Sequence, residues 1–367
     1  MPDDPTLPDA AINTVVPPLL RALDSLEAIG RRMHPPHLPR LVEAIGNDEA
    51  ALRDALAQAR SMGGPDDPGA LRDALVHAMN CTLQACEGLR TAPASPNPTM
   101  SAYRALRQHS RGLEALYPLA ARAEPVSRFF LEPSRRDDPA LAAALRTSPF
   151  AGTGLIHEPN QTGERGGFSV YVPEHLDPAT PRPLVMALHG GAGHGRLFLW
   201  NWVREARSRG IIVAAPTAIG PTWSLMEPEV DSENLTRILD HIGRRWPVDR
   251  SRLLLSGMSD GGTFTLLSGL AEDSPFTHLA PIAASFHPLL LAVTEPARIA
   301  GLPIHLIHGA LDWMFPVSVG RMAHRALSAA GARVTYCEIA DLSHAYPRDR
   351  NPHILDWFSG DETLNLG

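Results

Sequence analysis

The sequence predicts an α/β protein, with a small all-helical domain over residues 1–123, a linker over 124–150 and a doubly wound, mainly parallel sheet over 151–367. Three observations carry that prediction. From Ala11 to about Ala123, apolar residues recur at helical spacing with no strand-like alternation. Past residue 150, short apolar runs alternate with helical patterns, as strand–helix–strand crossovers require. Between the run Arg252 to Ser256 and a helical segment from Thr263 to Leu270 lies Gly257-Met258-Ser259-Asp260-Gly261, a Gly-x-Ser-x-Gly pentapeptide in a strand, turn and helix context.

In the helical part, Leu19, Leu20, Leu23 and Leu26 share one face before Gly30. Asn47 is placed to cap a helix running to Met62, and Asp67 before Pro68 to cap one carrying Leu71, Leu75, Met79 and Leu89. Asn97-Pro98 opens a last helix with Tyr103, Leu106, Leu113, Leu116 and Tyr117, and the amphipathic set is expected to pack as a bundle. Asp24-Ser25-Leu26 matches the short core of a phosphopantetheine attachment site, but inside a helix it reads as part of the helical face. His34, His37, His77 and His109 show no i, i+4 pairing of the kind that holds a metal, and no metal site is expected. The bundle is expected to serve either as a face for forming a homodimer or as a cap over a pocket.

Glu132-Pro133-Ser134-Arg135-Arg136-Asp137-Asp138-Pro139 is rich in proline and charge, so this region reads as linker with one short helix at Ala140 to Arg146. Beyond it, strands are expected at Phe168–Val172, Pro183–Leu188, Ile211–Ala215, Arg252–Ser256, Leu279–Ala284, Ile304–Ile307 and Val334–Ile339. Helices are expected at Leu197–Ser208, Ser232–Arg245, Thr263–Leu270, Val317–Ala330 and His353–Phe358.

Composition sets the outer limits. The chain of 367 residues is 44% hydrophobic and 20% charged, as soluble globular proteins with a sizeable core are. A net charge of -7 gives no electrostatic footprint for nucleic acid or an anionic membrane. There is no lysine, which excludes Schiff-base chemistry, a Ser-Lys dyad and a Walker phosphate loop. The acidic, proline-broken start Met1-Pro2-Asp3-Asp4-Pro5 lacks the basic and apolar segments of an export signal. No apolar run approaches the roughly 20 residues that span a bilayer, so a cytoplasmic protein is expected. Cys81 and Cys86 on one helix would lie about 140° apart around it and about 7.5 Å along it, which disfavours a disulfide. Cys337 falls in a strand and is expected to pack.

A serine placed in a sharp strand-to-helix turn presents its hydroxyl above the sheet, provided its flanking positions tolerate close backbone approach; Gly257 and Gly261 meet that demand. Ser259 is therefore the candidate nucleophile, and it needs a base and a group to orient the base. At the carboxyl ends of the last two strands, and in the chain order serine, acid, histidine, stand Asp312 and His344. Asp341 is a rival acid, in the same loop as His344. Acyl transfer also needs donors for an oxyanion. The turn His189-Gly190-Gly191-Ala192-Gly193-His194-Gly195 follows the strand Pro183–Leu188, so the backbone N–H groups of Gly191 and Asp260 are the candidate donors. A phosphate cradle is the alternative for that turn, though its glycines are not spaced Gly-x-Gly-x-x-Gly. Trp223 and Trp313 are expected to line an apolar pocket, while Trp200 and Trp202 are as readily explained by core packing.

From about Phe168 to Phe358 the chain resembles the α/β-hydrolase superfamily, and within it the phospholipase/carboxylesterase and polyhydroxybutyrate-depolymerase-like serine esterases of bacteria. The resemblance is carried by Leu188-His189-Gly190-Gly191-Ala192-Gly193, Gly257-Met258-Ser259-Asp260-Gly261-Gly262, His308-Gly309-Ala310-Leu311-Asp312 with Pro316, and Ser343-His344. It implies hydrolysis of small or medium carboxylic esters through an acyl-enzyme, with Ser259, Asp312 and His344 as the triad and no cofactor. Thioesterase or lysophospholipase activity is compatible with the same residues. Dienelactone-type hydrolysis is disfavoured because serine stands where that group has cysteine. A binding protein of hydrolase fold without catalysis is the competing class.

Overall fold

The computed structural model describes residues 9–43, 45–62, 69–147, 149–175, 177 and 179–360, which form two compact units divided between Arg146 and Thr147. The first unit is helical: α1 (Asp9–Arg31), α2 (Leu38–Glu43), α3 (Gly46–Ser61), α4 (Gly69–Thr91), α5 (Pro98–Leu116), α6 (Glu124–Phe129) and α7 (Pro139–Leu145). Asn97 caps α5 as expected, its side chain accepting from the Met100 N–H at 3.2 Å. The expected Asp67 cap lies outside the described residues. Helix α3 starts at Gly46, with Ile45 rather than Asn47 in the cap position. Helices α4 and α5 pack backbone to backbone, because a Cβ on Gly88 would stand 2.7 Å from that of Ala105. Within α1, Ser25 donates to Asp48 at 2.5 Å and Leu26 is buried in the bundle core, so the Asp24-Ser25-Leu26 triplet is spent on helix packing.

The region expected as linker is built into this unit up to Arg146. Its prolines open helices, where the missing N–H costs nothing: α6 begins Glu124-Pro125, and α7 begins at Pro139 behind Asp138, which accepts from the N–H groups of Ala140 and Leu141. Val126, Phe129, Phe130 and Leu131 are buried, and Phe130 meets Tyr117 edge to face.

The second unit is a sheet of eight strands in the order β1-β2-β4-β3-β5-β6-β7-β8. These are β1 (Gly154–Glu158), β2 (Phe168–Val172), β3 (Arg182–Leu188), β4 (Ile212–Pro216), β5 (Val248–Met258), β6 (His278–Ile282), β7 (Pro303–Gly309) and β8 (Arg333–Ile339). β2 runs antiparallel to both β1 and β4, and every other pairing is parallel. Sequence alone missed β1: as an edge strand it is only half buried along its length and carries no continuous apolar run. Leu184, Met186 and Leu188 of β3 face the same core cluster as Leu253 and Leu255 of β5, while Val185 and Leu254 fill the opposite side. Strands covered on both faces read as unbroken apolar runs.

The crossover after β3 is broken. α8 (Gly195–Phe198) ends in a tight turn over Leu199–Asn201, and α9 (Val203–Arg209) follows, closed by Gly210 in the left-handed conformation. In one continuous helix Trp200 and Trp202 would point about 200° apart; the tight turn lets both be buried. The remaining helices are α10 (Pro228–Arg245), α11 (Asp260–Gly269), the short α12 (Leu289–Ala292) and α13 (Pro296–Ile299), α14 (Val317–Ala329) and α15 (Asn351–Ser359). Among the described residues no helix is long and apolar enough to cross a membrane.

The chain passes from β3 to β4 on one side and then crosses back past β3 to β5 on the other, the reversal of strand order at whose carboxyl ends ligand sites form in open α/β sheets. Helix α15 closes over the neighbouring strands through two imidazoles: His278 packs against Trp357 and Phe358, and His305 against Trp357. Burial pushes His278 down to about 4, helped by Arg333 and Arg252. Burial, with His353 nearby, does the same to His305, whose Nδ1 has no partner. The unfolded chain therefore takes up these protons first, and the stability present above pH 6.5 is lost as pH falls toward about 4. For His305 this amounts to on the order of 3 kcal/mol. The urea midpoint is expected to drop across that window, and His305→Leu to flatten the drop.

Candidate active site

β5 runs into Ser259, whose φ of 58° and ψ of -121° lie where residues with a side chain rarely sit, at a cost of about 1–3 kcal/mol. The conformation is held by a 2.9 Å bond from the Ser259 N–H to Ile282 O on β6, and by the first turn of α11, where Thr263 N–H reaches Ser259 O at 2.8 Å. Close approach accounts for the glycines on either side. A Cβ on Gly257 would stand 2.4 Å from Gly261 O, and one on Gly261 would stand 2.5 Å from the carbonyl oxygens of Leu188 and His189. The elbow is thus pressed against the end of β3.

The other two predicted residues arrive from the loops after β7 and β8. His344 Nε2 lies 2.9 Å from Ser259 Oγ, and His344 Nδ1 lies 2.8 Å from Asp312 Oδ2. With the Nδ1 proton directed at Asp312, Nε2 is left to accept from the serine hydroxyl. All three residues are buried. Asp312 Oδ1 accepts from the N–H groups of Met314 at 2.9 Å and Phe315 at 2.8 Å. Burial works against charge on Asp312, but the hydrogen bond and charge of His344, with those two N–H groups, outweigh it and hold the carboxyl below its ordinary range. Asp341, the rival acid, is exposed, and the carboxylate at Nδ1 is that of Asp312.

The turn after β3 packs beside the elbow. A Cβ on Gly190 would touch that of Ser259 at 3.5 Å, and one on Gly191 would stand 2.8 Å from Asp260 Oδ2, so Gly191 and Asp260 are neighbours. Ala192 has a φ of 53°, and Gly193 N–H closes the turn on Gly190 O at 3.0 Å. His189 is tied at both ring nitrogens: Nδ1 donates to Gly190 O at 2.7 Å, and Nε2 accepts from Ala218 N–H at 3.1 Å. His194 caps α8, accepting from Arg196 N–H and donating through Nε2 to the carbonyls of Gln161 and Glu164; burial lowers its pKa. Among the described residues no group of three or more His, Cys, Asp or Glu side chains is placed to hold a metal ion.

The two tryptophans expected to line a pocket differ. Trp313 is 42% exposed, with its ring 6.3 Å from that of His344. Trp223, expected in the pocket, is 2% exposed and belongs to the core: it stacks on Phe264, and its indole N–H donates to His189 O at 2.7 Å. A buried indole needs an acceptor, and the carbonyl at the end of β3 supplies it.

Several supporting residues escaped the sequence reading. Arg165 donates to Gly193 O at 2.8 Å and to Gly220 O, joining the turn after β3 to the loop after β4. Asp231 holds that second loop through the N–H groups of Ile219 at 2.9 Å and Ser224 at 2.8 Å. His308, fully buried, donates to Phe315 O at 2.8 Å and lies 3.7 Å from Asp312 Oδ2, so it ties down the residue whose N–H meets Asp312 Oδ1. Only His308 had a sequence signal, being four residues before Asp312 at the end of a strand.

Residues 230–356 match the Phospholipase/Carboxylesterase family. A bifunctional acetylxylan esterase/xylanase of Neocallimastix patriciarum is 29% identical over 148 residues, 39% of this chain but only 21% of that protein. Among solved structures, a thermostable esterase is similar with a TM-score of 0.47 and 20% identity, over 56% of this chain and 62% of its own. A fluorophosphonate-binding serine hydrolase of Staphylococcus aureus is similar with a TM-score of 0.43 and 15% identity, over 56% of this chain and 96% of its own. The strand order and the strained elbow after β5 give the second unit the α/β-hydrolase fold, and the family match lies within that unit.

Proposed function

We propose that the chain is a serine carboxylesterase that hydrolyses small or medium carboxylic esters through an acyl-enzyme on Ser259. The observation that carries this reading is the hydrogen-bonded series Ser259–His344–Asp312, assembled from loops after three different strands. In the proposed cycle His344 Nε2 takes the hydroxyl proton as Ser259 Oγ attacks the ester carbonyl. Asp312 fixes the imidazole tautomer and stabilises its cation. The N–H groups of Gly191 and Asp260 receive the developing oxyanion, where loss of one donor costs about 3 kcal/mol. The C–O bond then breaks, the alcohol leaves with the proton from His344, and water repeats the attack to release the acid. Trp313, half exposed beside His344, forms an apolar wall for the acyl or aryl group.

A fluorophosphonate probe is expected to label the folded protein at Ser259, and Ser259→Ala to abolish labelling and lower p-nitrophenyl ester turnover by about 10⁶-fold. Labelling that survives the substitution would overturn the assignment. Asp312→Asn is expected to keep the thermal midpoint within a few degrees but to cut kcat by roughly 10⁴-fold, since the imidazole then loses its tautomer control. Across a series of p-nitrophenyl esters of increasing acyl length, Trp313→Ala is expected to raise KM most for the longest chains.

A further inference from the structure

We propose that Asp260 sets the substrate class of this site: its carboxylate accepts a hydrogen bond from a hydroxyl group carried by the ester and turns anionic esters away. The inference rests on the esterase reading above and deepens it. Asp260 is half buried and opens helix α11 directly after Ser259. Its side chain lies against the turn that follows β3, with Oδ2 at 2.8 Å and Oδ1 at 3.9 Å from where a Cβ on Gly191 would stand. The carboxylate therefore borders the two backbone N–H groups assigned to the oxyanion.

One donor reaches it. Thr222, from the loop after β4, gives its hydroxyl proton to Oδ2 at 2.6 Å. Among the described residues no other hydrogen bond and no basic side chain engages Asp260. Arg165, the nearby cation in these loops, is turned to the carbonyls of Gly193 and Gly220. An ionised carboxylate offers about four acceptor positions, so Asp260 retains acceptor capacity and an uncompensated negative charge beside the point where the reaction develops another. A hydroxyl on the substrate fills that capacity and draws charge away from the oxyanion. A carboxylate on the substrate would add a further like charge in a partly desolvated site. Because Asp260 is half buried and already bonded to Thr222, the preference for an ester that carries a hydroxyl is a modest one.

The test compares kcat/KM of the full chain at about pH 7 for ethyl butyrate, 2-hydroxyethyl butyrate, butyrylcholine and the monoanion ethyl hydrogen succinate. The wild type is expected to favour the hydroxyethyl ester over the ethyl ester by about tenfold and to disfavour the succinate by a similar factor. Asp260→Asn, which keeps the shape and the bond to Thr222, is expected to relieve the discrimination against the succinate. Asp260→Ala is expected to erase the hydroxyl preference, and thermal midpoints of both variants check that the fold is kept. Unchanged ratios in a folded Asp260→Asn protein would overturn the assignment, as would a preference for butyrylcholine with none for the hydroxyethyl ester, which marks bare charge attraction. Inactivity of the wild type toward all four esters, together with failure to react with a fluorophosphonate, would overturn the esterase reading itself, whereas activity with flat ratios overturns only the role of Asp260.

Discussion

The architecture of the site depends on one steric constraint, the approach of the elbow to the end of β3. Gly257 and Gly261 bring the backbones so close that any Cβ would lie within about 2.5 Å of a carbonyl oxygen. This contact holds Ser259 in its unfavourable conformation and seats the neighbouring glycine turn beside the hydroxyl. The strain at one residue is offset by hydrogen bonds spread over β6 and α11, which hold the Ser259 backbone in place.

Around that contact, each loop is tied down by a buried or half-buried polar side chain. Arg165 and Trp223 secure the turn after β3, Asp231 the loop after β4, and His308 the loop that carries the acid. A buried polar atom left unpaired is costly, so such bonds select one loop conformation among many. The acid is the clearest case: His344 and two backbone N–H groups meet its charge, and that outweighs the penalty of burying it.

What could be read from sequence follows from the range of each interaction. The glycine spacing around Ser259 and the order of serine, acid and histidine are local patterns tied to strand ends, and Ser259, Asp312 and His344 are found together in the folded unit. The six inner strands are legible because they lie between neighbours and carry apolar runs, and the edge strand β8 because Val334, Tyr336 and Ile339 stand out in its sequence; β1, the opposite edge, carries no such run. Prolines near residue 124 and at 139 suggest a linker by composition, yet each occupies the first turn of a helix with a buried face. Trp223 was misplaced because nothing nearby in sequence shows that His189 O, 34 residues away, awaits a donor.

One consequence follows from where β8 lies. It is the rim strand of the sheet, paired only with β7 and half buried for most of its length, and the loop after it delivers His344. Rim strands open in sub-global fluctuations that cost less than complete unfolding. His344, the proposed proton acceptor, is thus mounted on one of the least protected parts of the sheet, while Ser259 stands at the end of an inner strand. Amide exchange along β8 would accordingly report how often the proposed pairing of His344 with Ser259 is broken better than the melting temperature of the whole molecule.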